Sequence, residues 1–289
     1  ARTNDPCLPS GKCLEYSTGI CCECGPGYYG NGRSCLVANE AIRVNGKLNV
    51  AINDIKLDDI SLYTYVETKD GRVYTGVNSI EPNLGNDLQT SLIALSSIIG
   101  WLFAVPFNGA PNGFTLTGGL FNRTVNLVFP QTGHTAMIVE QYLGLDVFNF
   151  LNFKVEMRGT LPSIPADSNI HIEDYKQEFT RVSSGTLKSR LTHQFGFGTA
   201  SITMPFTIEQ TINYVECPHR PNDHHNLTTR VLASHNHIVY DTPNKIVRYS
   251  SDSRVSFLSG TLYRIRFDHF YYDRSFHLYF YLLFIFTAQ

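Results

Sequence analysis

Three cysteines crowd into Cys21-Cys22-Glu23-Cys24, and four more stand at Cys7, Cys13, Cys35 and Cys217. Two chemistries are open to such a cluster, zinc ligation and disulfide bonding. A structural zinc site asks for two separated Cys-x-x-Cys pairs, an arrangement this sequence lacks. Disulfides suit it better, because short glycine-rich loops bury too little apolar surface to hold a shape unaided. Six of the seven cysteines lie in the first 35 residues and one in the other 254. That imbalance marks a small cross-linked module joined to a larger domain that stabilises itself by burial.

Histidines gather at His219, His224 and His225, with His235 and His237 beyond. The loop around the first three is rich in Asn, Pro and Asp, so it reads as a solvated loop rather than a metal site. No Gly-x-Ser-x-Gly, His-Glu-x-x-His or Walker loop is present, and the protein is expected not to be an enzyme. Asn122-Arg123-Thr124 and Asn226-Leu227-Thr228 are N-glycan acceptor signals, which together with the cysteines point to a secreted protein. A formal net charge of −2 lacks the basic excess of a nucleic-acid or membrane-surface binder. The sequence opens on Ala1 with no signal peptide in view and is read as an internal piece of a longer protein.

Strands must position most of these residues. From 201 to 216 the even positions, Ile202 through Tyr214, are mostly apolar and the odd ones mostly polar, which predicts a long strand with one wet face. Residues 147–158 repeat the pattern with Leu151, Phe153, Val155 and Met157. Asp70-Gly71 between two alternating runs predicts a two-residue hairpin with Glu67 opposite Tyr74 and Tyr65 opposite Gly76. That pairing puts Tyr63, Tyr65, Glu67 and Tyr74 on the outer face, with Leu62, Val66, Val73 and Val77 on the core side. The tyrosines are either ordinary sheet surface or a recognition patch. Leu88–Val105 breaks the strand rhythm: it is apolar on nearly every side and short for a membrane span, so it is expected to be a helix buried within a closed barrel.

The Cys-x-Cys step, the Gly-Tyr-Tyr-Gly-Asn-Gly run and the closing Cys35 resemble the second half of an EGF-like module. Arg43-Val44-Asn45-Gly46-Lys47 follows, then Ile98-Ile99-Gly100-Trp101-Leu102-Phe103-Ala104-Val105. Asn112-Gly113-Phe114-Thr115-Leu116-Thr117-Gly118-Gly119, His171-Ile172-Glu173 and Lys245-Ile246-Val247-Arg248-Tyr249 complete the series. In this order the segments resemble the nidogen (entactin) family over roughly residues 5–252. The similarity implies a mainly β fold: a disulfide-rich EGF-like module at 1–36, then a GFP-like closed barrel of about eleven strands around a central helix at 37–254. Residues 255–289 do not resemble the family. With eleven Phe or Tyr among residues 261–289, that tail is read as translated non-coding sequence or a truncated gene model rather than a membrane anchor.

The EGF register implies Cys7–Cys22 and Cys24–Cys35, and matches Cys13 to a cysteine that would precede Ala1. The family's link from module to barrel implies Cys21–Cys217. Calcium is not expected, because Cys13-Leu14-Glu15-Tyr16 lacks the Asn or Asp of calcium-binding EGF modules, and no cofactor or metal is implied. Ile99 before Gly100 is not aromatic, so no self-formed chromophore is expected. The family role is that of a basement-membrane adaptor, secreted to the extracellular matrix, that binds perlecan and type IV collagen. Arg43, Tyr65, Tyr74 and Arg248 match its perlecan-binding face, and Tyr63 lies beside them. Ser61, Tyr63 and Asn244 replace an acid, a histidine and a second acid, interactions worth about 1–3 kcal/mol each where buried and paired. The rival reading is an EGF-type signalling ligand or receptor fragment in which the barrel is a spacer.

Overall fold

The computed structural model describes residue 7 and residues 11–166, 168, 170–198, 202–219 and 227–258. The aromatic tail from residue 259 onward lies outside them, as do His224, His225 and the acceptor Asn226. Two small hairpins come first: β1 (Gly11–Tyr16) pairs with β2 (Gly19–Cys24), and β3 (Tyr28–Gly30) with β4 (Cys35–Val37). Then follow β5 (Ile42–Ile52), β6 (Ile55–Glu67), β7 (Arg72–Val77), α1 (Pro82–Leu102), β8 (Val105–Pro106) and α2 (Gly113–Thr117). Next come β9 (Leu120–Phe129), β10 (His134–Leu145), β11 (Leu151–Gly159), β12 (Ile170–His171) and β13 (Tyr175–Ser183). The last four are β14 (Thr186–Phe197), β15 (Thr203–Tyr214), β16 (Thr228–Asp241) and β17 (Ile246–Phe257).

Eleven strands close a barrel in the order β14-β13-β16-β17-β7-β6-β5-β11-β10-β9-β15, with β15 pairing back onto β14. Closure leaves the wall no unpaired edge. Neighbours in the ring are antiparallel, except β5 and β11, which run parallel. Strand alternation builds the interior. β15 turns Met204, Phe206, Ile208, Gln210 and Ile212 inward, and β11 does the same with Leu151, Phe153, Val155 and Met157.

Helix α1 fills the barrel. Pro82 sits in its first turn, where a missing N–H costs nothing, and nearly every residue from Leu84 to Leu102 is buried. Two of its buried hydroxyls turn back on the helix itself: Thr90 donates to the Asp87 carbonyl (2.7 Å) and Ser91 to that of Leu88 (2.9 Å). Trp101 stacks on Phe179 at 5.1 Å and meets the edge of Phe121 at 6.1 Å. One charged residue crosses from wall to helix. Arg123 on β9, wholly buried, donates to Glu140 (2.9 Å), to Gln210 (2.5 Å) and to the Ala94 carbonyl of α1 (2.9 Å).

The β6–β7 hairpin departs from its predicted register. Glu67 faces Arg72, Tyr65 faces Tyr74 and Tyr63 faces Gly76. Thr68, Lys69, Asp70 and Gly71 form the loop, with the Gly71 N–H bonded to the Glu67 carbonyl (2.9 Å). Tertiary contact overrides the Asp-Gly signal: Gly71, at φ +74°, is clamped to β17 by a 2.9 Å bond from the Ser253 N–H to its carbonyl. A side chain at Gly71 would start 2.2 Å from the Ser253 oxygen. The shift is two residues, so each side chain keeps its predicted face.

The N-terminal hairpins are cross-linked by Cys7–Cys22 and Cys24–Cys35 and tied to the barrel by Cys21–Cys217. Tyr29 also meets Phe114 of α2 edge-on at 5.5 Å, and the His219 ring packs over Gly19. Next to Cys217, Glu216 accepts two bonds from Arg181 (2.8 and 2.6 Å), one from Ser184 (3.0 Å) and one from the Tyr214 hydroxyl. Partial burial works to raise the Glu216 pKa, but the bonds from Arg181, Tyr214 and the Gly185 backbone outweigh it and hold it at about 2. A carboxyl depressed on folding contributes stability above its unfolded pKa and loses it as pH falls through the folded one. Glu216→Gln is therefore expected to lower the thermal midpoint at pH 7 and to flatten its decline between about pH 4.5 and 2, as read by melts across that range.

Candidate protein-binding face

Four adjacent strands, β5, β6, β7 and β17, bring together the outward residues singled out in the sequence. One cross-strand row runs Arg43–Tyr65–Tyr74–Ser250 and the next Asn45–Tyr63–Gly76–Arg248. Tyr63, Tyr65 and Tyr74 are 52%, 42% and 46% exposed, so three large rings stand open to solvent on one patch. Beneath them Leu62, Val66, Val73 and Val77 are buried, and Thr64 and Thr75 share a 3.1 Å hydroxyl contact. Gly76, without a side chain, leaves a shallow notch between Tyr63 and Arg248 in the second row.

Neighbouring charges hold the patch in shape. Tyr65 donates its hydroxyl to Glu67 (2.5 Å), which raises the Tyr65 pKa and keeps the phenol protonated. Arg43 lies over the Phe150 ring at 5.8 Å, a cation–π contact that aims its guanidinium along the edge of the face. Arg248 pairs with Asp241 (3.0 Å), and Asn244 donates to both oxygens of that carboxylate (3.1 and 2.9 Å). The Asn244 side chain is the main cause of the lowered Asp241 pKa; desolvation opposes it, and the Asn244 backbone and Arg248 add to it. Arg72 bridges Asp70 (3.4 Å) and Asp252 (3.1 Å), and Asp252 also meets His235 Nδ1 (2.9 Å).

Asp241, Arg72 and Asp252 were not picked out in the sequence as part of this face. Asp241 could have been found: Asp-Thr-Pro-Asn ahead of Lys245 is a turn signature, and closing it places Asp241 opposite Ile246. Of the positions where the family resemblance fails, Asn244 is occupied in orienting Asp241, and Ser61 lies 3.5 Å from Lys47 Nζ. The acceptor Asn122 stands exposed on β9, on another part of the wall. The Cys7, Cys13 and Cys22 sulfurs lie within 4.8 Å of one another, but Cys7 and Cys22 are joined in a disulfide and offer no thiolates to a metal. Among the described residues, no helix is long and apolar enough to cross a membrane.

The family model for the G2-F domain matches residues 39–221. Human nidogen-1 is 32% identical over 269 residues, covering 88% of this chain and 21% of that protein. Drosophila melanogaster nidogen is 34% identical over 212 residues, 73% of this chain and 16% of its own length. The chain thus spans about a fifth or less of these relatives. The solved domain G2 of mouse nidogen-1 superposes with a TM-score of 0.74 at 30% identity, covering 82% of this chain and 96% of that structure.

Proposed function

From the premise that the chain belongs to the G2-F domain family, we propose that it is part of a secreted adaptor of basement membranes, binding perlecan and type IV collagen through the outer wall of the barrel. In this reading residues 1–36 are an EGF-like module and the protein performs no chemistry. The binding barrel runs from 37 to 257, three residues past the boundary read from the sequence, because β17 continues to Phe257 with Val255 buried. The observation that carries the proposal is the convergence of Arg43, Tyr63, Tyr65, Tyr74 and Arg248 on one exposed face of β5, β6, β7 and β17. Aromatic rings and arginines of this kind supply most of the energy of protein interfaces, because they bury much area while losing little conformational entropy. The cation is also prearranged: Asp241 and Asn244 fix Arg248 before any partner arrives.

Solution binding to the immunoglobulin modules of perlecan tests the proposal. Tyr74→Ala combined with Arg248→Ala is expected to weaken binding by at least about tenfold, since interface anchors cost over ~1 kcal/mol each. Thr211→Ala, on the opposite wall, is expected to bind as the parent does. Unchanged affinity in the double variant would place the partner on a different face.

A further inference from the structure

We infer that Asn122 carries an N-linked glycan whose first sugars lie in a polar groove over β9, β15, β14 and β13, closing off the wall that faces away from the tyrosines. The inference rests on the secretion contained in the proposed function, because only a chain passing through the secretory route meets the glycosylation machinery.

The acceptor triplet lies flat along a strand. Asn122 points outward, Arg123 inward into its ion pair, and Thr124 outward again. The Asn122 amide is therefore open to solvent in the folded protein, and its neighbour anchors the strand beneath it. One register step along the strand, the outward side chains form two cross-strand rows, Thr124–Thr211–Lys188 and Asn126–Glu209–Arg190. Together with Glu178 and Thr180 of β13 they line a groove of about 490 Å³ whose described lining residues are all polar or charged. Arg190 and Glu209 meet across it at 3.4 Å.

This chemistry fits sugar better than protein. A protein partner is held by desolvated aromatic or aliphatic anchors, and the groove offers none. Sugar hydroxyls and N-acetyl groups need many donors and acceptors in close array, which threonine hydroxyls, an amide and paired charges provide. Asn122 and Thr124 are two residues apart, about 7 Å along a strand, so a tethered glycan reaches the groove from its attachment point.

Position in the ring gives the glycan a consequence. β9 lies four strands from β6 by way of β5, β11 and β10, and five from β17 by way of β16, β13, β14 and β15. A glycan there sits across the barrel from Tyr63, Tyr65, Tyr74 and Arg248. It leaves that face free while barring partners from the other side.

The test uses the protein secreted from animal cells. Enzymatic release of N-glycans in heavy-oxygen water, followed by peptide mapping, reads occupancy at Asn122 separately from Asn226. Amine acylation then compares the parent with Asn122→Gln. Lys188 is expected to react at least threefold faster in the variant, while Lys47 on β5 reacts equally in both. Secreted protein with a bare Asn122 overturns the inference and leaves the secretion intact. An occupied Asn122 with equal Lys188 rates overturns the placement in the groove. A chain retained in the cell without a glycan overturns the secreted reading and this inference together.

Discussion

Arg123→Met is expected to destabilise the barrel by about 3–5 kcal/mol, the cost of leaving one member of a buried ion pair alone. Arg123 and Glu140 are both wholly excluded from solvent, and the guanidinium also reaches Gln210 and the Ala94 carbonyl. Methionine replaces most of the volume and none of the donors. Burial already raises the Glu140 pKa, and the neighbouring arginine is what pulls it back down. Without Arg123, Glu140 must take up a proton or remain an uncompensated charge at the centre of the barrel. Urea unfolding at neutral pH measures the loss. The double variant Arg123→Met, Glu140→Met is expected to recover much of it, since two apolar chains of similar size remove the stranded charge, although the Gln210 side-chain oxygen and the Ala94 carbonyl still lose the arginine's N–H groups. A double variant as unstable as the single one would mean that packing, rather than the stranded charge, sets the cost.

Cys217→Ser is expected to cost about 2–5 kcal/mol. The Cys21–Cys217 bond closes a sequence separation of 196 residues, and the entropy removed from the unfolded chain grows with the loop that a cross-link closes. The bonds within the N-terminal hairpins span only 15 and 11 residues and constrain much less. Among the described residues, the contacts that remain between hairpins and barrel include Tyr29 against Phe114, Leu36 in the shared core, and His219 over Gly19 and beside Thr18, the last lying two positions from Cys217 itself. Loss of the bridge should therefore appear twice: as a lower urea midpoint and as faster proteolysis between residues 37 and 41. A variant with parent-like values in both measurements would show that those packing contacts hold the hairpins without the covalent link.

Much of the wall was legible in the sequence because alternation reports burial directly. Ile202 to Tyr214 and Leu151 to Met157 show one apolar face each, and the structure turns those faces inward along β15 and β11. Helix α1 was legible for the converse reason, since a segment apolar all round has only an interior to occupy. Its ends were not: it starts at Pro82 rather than Leu88 and stops at Leu102, and Val105 belongs to β8. The tyrosine face was legible as a set of side chains, because strand parity survives a register error of two. The register was not legible: Asp70-Gly71 carries a strong local signal, and what overrules it is Ser253 on β17, 182 positions on from Gly71. The pair Arg123–Glu140 was hidden for a similar reason, since it joins residues 17 positions apart on neighbouring strands whose register the local pattern does not state. The turn at Asp241, by contrast, does announce the pairing that brings Arg248 to it. Arg123 did leave a trace, as the charged member of the inward series Phe121, Arg123, Val125 and Leu127.

The parallel contact between β5 and β11 has a consequence for how such a wall can change size. Strands that alternate up and down around a ring return in step only if their number is even, so eleven forces one pair of like-directed neighbours. Here that seam passes beside Arg43 and Phe150, at the margin of the tyrosine face. A single inserted strand would abolish the seam or demand a second elsewhere, whereas a whole hairpin leaves the count odd and the seam in place. Barrels of this design are thus expected to gain or lose girth two strands at a time.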